Sequence, residues 1–403
     1  MQPFVTALSK TRRALLGPGL LVLLGGCGGG GATPDPVPPA LSPLARLGEQ
    51  AFQDRTLSGS GRMSCASCHD PAFAHGPPNA QAVQVGGQFE TAFGLRAAPS
   101  IRYLERQPAF DGAALRGGLM ADGRIDTLAA QAHLPLLNPL ELDNGSIEIL
   151  ARRLRAAAYG PQFEALFGPA PDAATAVARL GAALEAFQRE DGRLHPYDSK
   201  FDQVQAGRER FSAAEQRGLA AYRDPARGNC AACHPDTPGP DGKPALFTDF
   251  GYAATGVPRN RAIPANADPA HFDLGLCGGR PELAARPELC GLFRTPGLRN
   301  VARRPVFFHN GVLSSLAQVL DFYNSRDTEP ARWYPTTGGV VQKYDDLPEA
   351  YRAHITRRAP LDGRAAGSAP PMSAQDRADI VCFLRTLSDG HVAGTPPAAG
   401  CRD

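Results

Sequence analysis

Two short motifs in the sequence carry residues that could do redox chemistry. Each has two cysteines three positions apart and a histidine directly after the second cysteine. The first motif is Cys65, Cys68 and His69, and the second is Cys230, Cys233 and His234. This spacing is typical of c-type haem attachment, because the thiols can add to the haem vinyl groups while the histidine binds the iron. One such motif could be a metal knuckle or a redox disulfide, but two of them predict two covalently bound haems.

Helical patterns surround both motifs and indicate the elements that position them. Apolar residues recur at helical spacing over residues 44–52, before the first motif. Before the second motif, Ser212 and Glu215 have the spacing of a capping box, which starts a helix. A further helix is predicted to begin at Ser373. No convincing run of alternating strand residues appears, so the sequence predicts a mainly α fold.

The repeated surroundings of the motifs predict two cytochrome-c-like haem domains. The chain has 403 residues, which is too long for one ordinary core and suits two domains of middle size. The predicted N-terminal haem domain covers 44–204, the C-terminal haem domain covers 205–390, and a tail covers 391–403. With 43% hydrophobic and 20% charged residues the chain is globular, and its formal charge of +2 gives no indication of a nucleic-acid partner.

The first 26 residues have the features of an export signal. Three basic residues between positions 10 and 13 precede a short apolar stretch at 15–24, which is too short to span a bilayer. Two glycines and Cys27 follow, as in the lipobox of a bacterial lipoprotein; the alternative is an ordinary signal peptide with a chance cysteine. Residues 27–43 are rich in glycine and proline and predict a flexible tether. We therefore expect a periplasmic protein that is held to the membrane by a lipid on Cys27.

Four cysteines remain after Cys27 and the two haem motifs are set aside from the nine in the chain. They are Cys277, Cys290, Cys382 and Cys401. An even number in an oxidising compartment favours disulfides, and proximity along the chain favours the pairs 277–290 and 382–401. Other pairings, or four free thiols, are the alternatives.

The order of several further motifs resembles the bacterial di-haem cytochrome c peroxidase family. The matching segments are 65–71, 121–124, 127–128, 136–139, 247–249, 293–296, 298–300 and 309–311. Within the family, the chain looks closest to the branch containing the di-haem enzyme that completes the tryptophan tryptophylquinone cofactor of methylamine dehydrogenase. The resemblance implies that peroxide reacts at the N-terminal haem, while the C-terminal haem relays electrons or stores oxidising equivalents.

The resemblance also implies a set of catalytic residues on the distal side of the N-terminal haem. The family has a glutamine, a proline four residues later and a glutamate ten residues after the glutamine, and Gln131, Pro135 and Glu141 keep that spacing. A carboxylate can move a proton between the two oxygens of peroxide, and an amide can hold the bound oxygen. The alternative is a surface glutamine and glutamate that flank a loop.

The chain departs from the conventional peroxidases at both irons. They hold a distal histidine sixteen residues after the proximal one, where this chain has Val85; His75 is off that position and is predicted to be a loop residue. The resemblance therefore implies an N-terminal haem that is open without prior reduction. Where they hold an axial methionine this chain has Tyr323, as in the cofactor-maturing branch. We predict that Tyr323 binds the second iron opposite His234; the alternative is a buried core tyrosine.

Two further departures concern the region between the haems. The family tryptophan ten residues before Gln131 is replaced by Ala121, and the only tryptophan is Trp333. The family's calcium site usually takes an asparagine at the position of Ala97 and a threonine at that of Arg304. Losing a carboxamide and gaining a cation make calcium a doubtful cofactor, although backbone carbonyls can also bind it.

Three functions follow from these features. The leading hypothesis is reduction of hydrogen peroxide to water, with electrons from a small cytochrome c, a cupredoxin or another donor protein. A second hypothesis is peroxide-dependent oxidation of a specific partner protein, against which Ala121 counts. A third is an electron-transfer or redox-sensing cytochrome without turnover. Val85 and Glu141 count against the third, because an open iron beside an acid has no use in a protein that only passes electrons.

Overall fold

Helices make up most of the regular structure in the computed structural model, which describes residues 40–403. The α-helices are α1 (Pro43–Gln53), α2 (Leu128–Ala132), α3 (Leu134–Leu137), α4 (Ile147–Ala156), α5 (Gly160–Phe167), α6 (Ala173–Glu190), α7 (Lys200–Gln205), α8 (Ala213–Arg223), α9 (Leu276–Gly279), α10 (Leu316–Ser325), α11 (Pro330–Trp333) and α12 (Ala374–Arg385). The described strands are two residues long: β1 (Val85–Gly86), β2 (Ala92–Phe93), β3 (Tyr252–Ala253), β4 (Phe293–Arg294), β5 (Thr336–Thr337) and β6 (Val340–Val341). They pair antiparallel as β1–β2, β3–β4 and β5–β6. The predicted mainly α class is confirmed, while the predicted export signal and Cys27 lie outside the described residues.

Two helix crossings of the same kind hold the fold together. Helix α1 packs on α6, and α8 packs on α12. Each crossing has a glycine where the backbones meet: a Cβ on Gly48 would lie 2.0 Å from the carbonyl oxygen of Ala183, and one on Gly218 would lie 1.9 Å from that of Asp379. No larger residue fits at either point without moving a helix. The repeat predicted from the two motifs therefore extends to the helices around them.

Local sequence signals set where these helices begin. In α8 the side chains of Ser212 and Glu215 each accept a hydrogen bond from the other's backbone N–H, as predicted. The predicted helix after Ser373 is α12, which begins with the same type of reciprocal cap from Asp376. Because these bonds satisfy N–H groups that have no partner inside the helix, they fix its first turn. No helix in the described part of the chain is long and apolar enough to cross a bilayer.

The apolar side chains form two main cores that divide near residue 200. The first core extends from Leu47 to Leu194 and the second from Phe201 to Leu387. The predicted face of α1 is confirmed, because its apolar residues pack into the first core. Residues 40–403 nevertheless form one compact unit. The domain boundary near residue 205 therefore stays a prediction, and we refer to 44–204 and 205–390 as the N-terminal and C-terminal halves.

Both predicted disulfides are present. Cys277 pairs with Cys290, and Cys382 pairs with Cys401. The second disulfide holds the tail against α8, where the hydroxyl of Ser212 donates a hydrogen bond to the carbonyl of Cys401 at 2.6 Å. Free thiols and other pairings at these four positions are thereby excluded.

Candidate active site

A large cavity connects the two cysteine–histidine motifs. Its volume is about 830 Å³, and most of its wall is apolar. The wall includes both motif histidines and all four motif cysteines: His69, His234, Cys65, Cys68, Cys230 and Cys233. A single apolar space that is shared by both motifs is the kind of site that a large cofactor requires.

The two motifs have the same backbone structure. Each begins with one turn of 3₁₀ helix, Cys65–Ser67 in the first and Cys230–Ala232 in the second. The N–H of each motif histidine donates to the carbonyl of the first cysteine in its motif, at 2.9 Å in the first and 2.8 Å in the second. This turn brings two thiols and an imidazole to the same part of the cavity wall.

Both motif histidines have one ring nitrogen engaged and the other free. Nδ1 of His69 lies 3.0 Å from the carbonyl oxygen of Pro99, and Nδ1 of His234 lies 2.8 Å from that of Phe247. A carbonyl can only accept, so Nδ1 carries the proton and Nε2 keeps its lone pair. Burial also lowers the pKa of both histidines, which keeps the rings neutral. Each ring therefore offers Nε2 to an iron ion.

The motif cysteines are free, unlike the other four cysteines in the described chain. Burial raises the pKa of Cys65 to about 12 and that of Cys68 to about 11. Burial likewise raises the pKa of Cys230 to about 12, and it raises the pKa of Cys233. The thiols thus remain protonated and available to react with vinyl groups. Two free thiols and one neutral imidazole in an apolar wall fit a c-type haem at each motif.

Gln131, Pro135 and Glu141 all line the cavity. Helices α2 and α3 carry the glutamine and the proline, and Glu141 lies in the loop after α3. Glu141 is close enough to Cys65 and Cys68 to raise the pKa of both thiols further. The structure therefore places the three predicted distal residues in the wall of the same cavity, with Glu141 beside the first motif.

Glu141 has the surroundings of a group that moves protons. Burial raises its pKa, although a hydrogen bond from Asn138 and the positive charge of Arg124 act in the opposite direction. The side-chain nitrogen of Asn138 lies 2.7 Å from Oε1 of Glu141. We did not identify Asn138 from the sequence as a site residue, although it is part of the 136–139 motif. One feature of the sequence could have identified Asn138: it lies three residues before Glu141. At this spacing a single turn of the chain brings the amide next to the carboxylate.

Val85 lies in β1 and lines the cavity beside Glu141. The next residue, Gly86, packs so closely that an added Cβ would lie 2.6 Å from the carbonyl oxygen of Glu141. A valine side chain has no atom that can bind iron. His75 lies in a loop, as predicted, but it is buried: its Nδ1 accepts a hydrogen bond from Arg102 at 3.2 Å, and burial lowers its pKa to about 4. His75 is not among the residues that line the cavity.

Tyr323 lies on α10 and faces the same cavity as His234. Leu316, Val319 and Leu320 of the same helix pack with Tyr323 against the second core. The Tyr323 hydroxyl makes no hydrogen bond to any residue that the structure describes. Burial, followed by the nearby motif cysteines, raises the pKa of Tyr323, so a phenolate here requires the positive charge of a metal ion.

Among the described residues, no tryptophan lines the cavity that connects the two motifs. Ala121 lines the cavity, whereas Trp333 packs edge-on against the core residue Phe322 with ring centroids 5.4 Å apart. The cavity wall contains a different aromatic pair, which the sequence did not reveal. Phe293 stacks on the ring of His309 with centroids 3.6 Å apart and planes 8° apart. This pair brings β4 against the 309–311 motif in the middle of the cavity wall.

Ala97 and Arg304 stand at the two positions where the family usually has side-chain ligands of calcium, and both line the cavity. The N–H of Ala97 donates to the carbonyl of His309 at 2.8 Å, and Nη2 of Arg304 donates to the carbonyl of Ala98 at 3.2 Å. In residues 40–403, no three side chains of His, Cys, Asp or Glu come together in a way that could hold a metal ion.

Comparisons with known proteins agree with these features. The model of a family described as di-haem cytochrome c peroxidase matches residues 42–210. The methylamine utilization protein MauG of Paracoccus denitrificans is 38% identical over 396 residues, which cover 94% of this chain and 95% of that relative. The cytochrome-c peroxidase IdrP1 of Denitromonas iodatirespirans is 30% identical over 374 residues, covering 85% and 90%. The crystal structure of the diheme peroxidase BthA from Burkholderia thailandensis superimposes with a TM-score of 0.80 at 41% identity, covering 89% of each chain.

Proposed function

This chain belongs to the di-haem cytochrome c peroxidase family, and we propose that it reduces hydrogen peroxide to water at the haem held by His69. The observation that carries the proposal is the buried carboxyl group of Glu141, which shares a cavity wall with His69 and Val85. An acid beside an iron position at which valine replaces the conventional histidine is suited to splitting peroxide. The two electrons needed for each peroxide come from a donor protein such as a small cytochrome c or a cupredoxin.

The protein residues supply binding and proton transfer. When bound, the haem iron would supply the coordination position for peroxide and the electrons that break its O–O bond. Glu141 accepts the proton of the peroxide oxygen nearer the iron and donates it to the farther oxygen, which leaves as water. The amide of Gln131 orients the peroxide by hydrogen bonding, and Pro135 fixes the first turn of α3. Two further protons from solvent complete the second water molecule.

The C-terminal haem has a different role in this proposal. His234 and Tyr323 would hold its iron, which would leave no position for peroxide. The C-terminal haem therefore relays electrons from the donor or stores oxidising equivalents. The large cavity shared by the two motifs supports a short path between the haems.

Peroxide-dependent oxidation of a reduced dye tests the proposal in the protein loaded with haem. Glu141→Gln should lower the rate of peroxide cleavage by about 10²–10⁴-fold, the usual contribution of a positioned acid–base group. Glu164→Gln, an exposed glutamate on α5, is the matched control and should leave the rate unchanged. Equal rates in the two variants would remove Glu141 from the mechanism. The mass of the denatured protein should show two haem additions, and one after Cys65 and Cys68 are replaced by alanine.

A second function is favoured by one specific observation. The relative that is 38% identical over nearly the whole chain is a methylamine utilization protein. Peroxide-dependent oxidation of a partner protein would use the same distal residues but would take its electrons from that partner. Stopped-flow reduction of the peroxide-treated protein separates the two functions. Rapid reduction by small cytochromes and cupredoxins supports the peroxidase function. Reduction by just one protein, encoded by a neighbouring gene, supports oxidation of a partner protein. No peroxide reaction at all would leave an electron-transfer or redox-sensing cytochrome.

We also propose a periplasmic location with a lipid anchor on Cys27. The order of basic residues, a short apolar stretch and two glycines before Cys27 supports it. Cys27→Ala should release the protein from the membrane fraction into the soluble fraction. A wild-type protein that is wholly soluble and begins at another residue would exclude the anchor.

A further inference from the structure

The wall of the cavity contains arginines that are paired with carboxylates and arginines that are not. The seven arginines that line it are Arg96, Arg102, Arg124, Arg294, Arg299, Arg304 and Arg358. Four of them form ion pairs with Asp122, Asp202, Asp273 or Asp389. Arg358 lies exposed at the rim. Arg294 and Arg304 are neither exposed nor paired with a carboxylate among the described residues.

Arg304 lies beside the histidine of the first motif. Its Nη2 donates to the carbonyl of Ala98 at 3.2 Å, and the next carbonyl, that of Pro99, accepts from Nδ1 of His69. The positive charge of Arg304 contributes to the lowered pKa of His69. Its Nε and Nη1 make no hydrogen bond to any residue that the structure describes. These donors belong to a side chain that lines the cavity, so they are available to a bound group.

Arg294 lies near Met120 and Gln131 in the cavity wall. Its Nη1 donates to Oε1 of Gln107 at 2.7 Å, and its Nε donates to the carbonyl of Met120 at 3.3 Å. The sulfur of Met120 in turn lies 3.7 Å from the amide nitrogen of Gln131. The amide nitrogen of Gln107 is buried and lacks a partner within residues 40–403. Nη2 of Arg294 and the amide nitrogen of Gln107 thus have no acceptor among the described residues.

Both arginines carry a positive charge that the protein does not compensate. Burial lowers the pKa of Arg294, and burial lowers that of Arg304 to about 10. Arg96 is the contrast: burial acts to lower its pKa too, but hydrogen bonds and attraction from Asp273 and Asp122 raise it overall. An unpaired cation in an apolar wall is costly unless an anion is bound beside it. The cavity therefore requires negative charge at two points around the first motif.

We propose that Arg294 and Arg304 bind the propionate carboxylates of the haem that is attached to Cys65 and Cys68. The vinyl groups of that haem are used by the thiols, so the two propionates are its only anionic substituents. They lie at the edge of the ring away from the vinyl groups. Arginine matches a carboxylate with paired N–H donors, and such charge-assisted bonds are strong. The inference rests on haem binding but not on peroxidase activity.

The two arginines also connect the halves of the chain. Arg294 and Arg304 belong to the C-terminal half, whereas their protein acceptors, Ala98, Gln107 and Met120, belong to the N-terminal half. The C-terminal half therefore supplies the counter-charges for the haem of the N-terminal half. Haem binding in one half is thereby coupled to the packing of the other.

The midpoint potential of the N-terminal haem as a function of pH tests the proposal without peroxide. In Arg294→Gln and Arg304→Gln a propionate loses its positive partner, so the potential should fall because Fe(III) is favoured. The potential should also become dependent on pH between about 5 and 8, since the propionate pKa rises when the cation is removed. Arg303→Gln removes the same charge one residue away, from an exposed side chain, and should do neither. Potentials of both cavity variants that match the Arg303→Gln control would overturn the proposal.

Lysine variants keep the proposal testable if the glutamine variants do not assemble. Arg294→Lys and Arg304→Lys retain the charge but replace the planar fork with a single ammonium group. The propionate bending bands in the resonance Raman spectrum should therefore shift, while the potential stays near that of the wild type. Bands identical to those of the wild type in both lysine variants would show that neither arginine touches a propionate.

Discussion

Asn138 donates a hydrogen bond to Oε1 of Glu141 at 2.7 Å, at the point where the chain leaves α3 and enters the cavity wall. This bond stabilises the ionised form of a carboxyl group that burial otherwise drives towards its neutral form. In the proposed mechanism, the ability of Glu141 to accept the first proton of peroxide thus depends on a neighbouring amide.

Removing that bond should change the pH dependence of peroxide cleavage. Only the carboxylate form of Glu141 can accept a proton, so activity is present above its pKa and lost as the pH falls through it. Asn138→Leu should raise the pKa of Glu141 and move the acidic limb of kcat/KM to higher pH. Arg124→Gln should move it in the same direction, because the charge of Arg124 also lowers that pKa. Profiles that are unchanged in both variants would show that another group takes the proton.

Tyr323 should determine the properties of the second haem. An anionic oxygen ligand donates charge to iron and favours Fe(III), whereas a neutral methionine favours Fe(II). Tyr323→Met should therefore raise the midpoint potential of the second haem and change its low-spin EPR signal. Tyr323→Phe should remove the ligand and alter the optical spectrum, while Tyr351→Phe, outside the cavity wall, should leave it unchanged. A second haem that is unaffected in Tyr323→Phe would make Tyr323 a core residue.

Arg299 should be essential for the stability of the junction between the halves. It donates two hydrogen bonds of 2.8 Å to Asp202 on α7, and both side chains are buried. Arg299→Met leaves the Asp202 charge buried and alone, which should cost about 3–5 kcal/mol of unfolding free energy in urea at neutral pH. The double variant Arg299→Met with Asp202→Leu should recover part of that loss. Arg286→Met, which breaks an exposed pair, should have little effect.

The same pair predicts how stability changes in acid. Burial acts to raise the pKa of Asp202, but the hydrogen bonds and charge of Arg299 lower it overall. The stabilisation is therefore complete above the ordinary aspartate pKa of 3.8 and is lost as the pH falls through the lowered value. The unfolding free energies of the wild type and of the double variant, measured in urea, should become similar below that pH. A difference that stays constant with pH would contradict the assignment.

Calcium should be dispensable for this protein. Ala97 has no side-chain ligand, and Arg304 adds a cation to the wall that would repel one. Dialysis against a chelator should therefore leave the haem spectra and the peroxidase rate unchanged. A loss of activity that added calcium restores would show that backbone carbonyls form a site after all.

The parts of the structure that were predictable from sequence depend on short-range patterns. The capping box of Ser212 and Glu215 and the repeated turn at the haem motifs need only a few neighbouring residues, so their spacing identifies them. The disulfides were also predictable, because each closes a short loop in the chain. Tyr323 was identified as a candidate only through the family resemblance.

The parts that were not predictable depend on contacts between distant segments. Gly48 and Gly218 are ordinary glycines in a chain that has 44 of them until the helix crossings are known. Arg294 differs from the paired arginines only because no carboxylate lies near it, and the sequence does not show which charges meet. The stacking of Phe293 on His309 is likewise a tertiary contact.

The difference between the disulfide-bonded and the free cysteines constrains the order of steps in the maturation of the protein. Four must be oxidised to disulfides, while four must stay reduced although each motif places two of them on a single helical turn. If haem is attached covalently, it must arrive before an internal disulfide closes either motif.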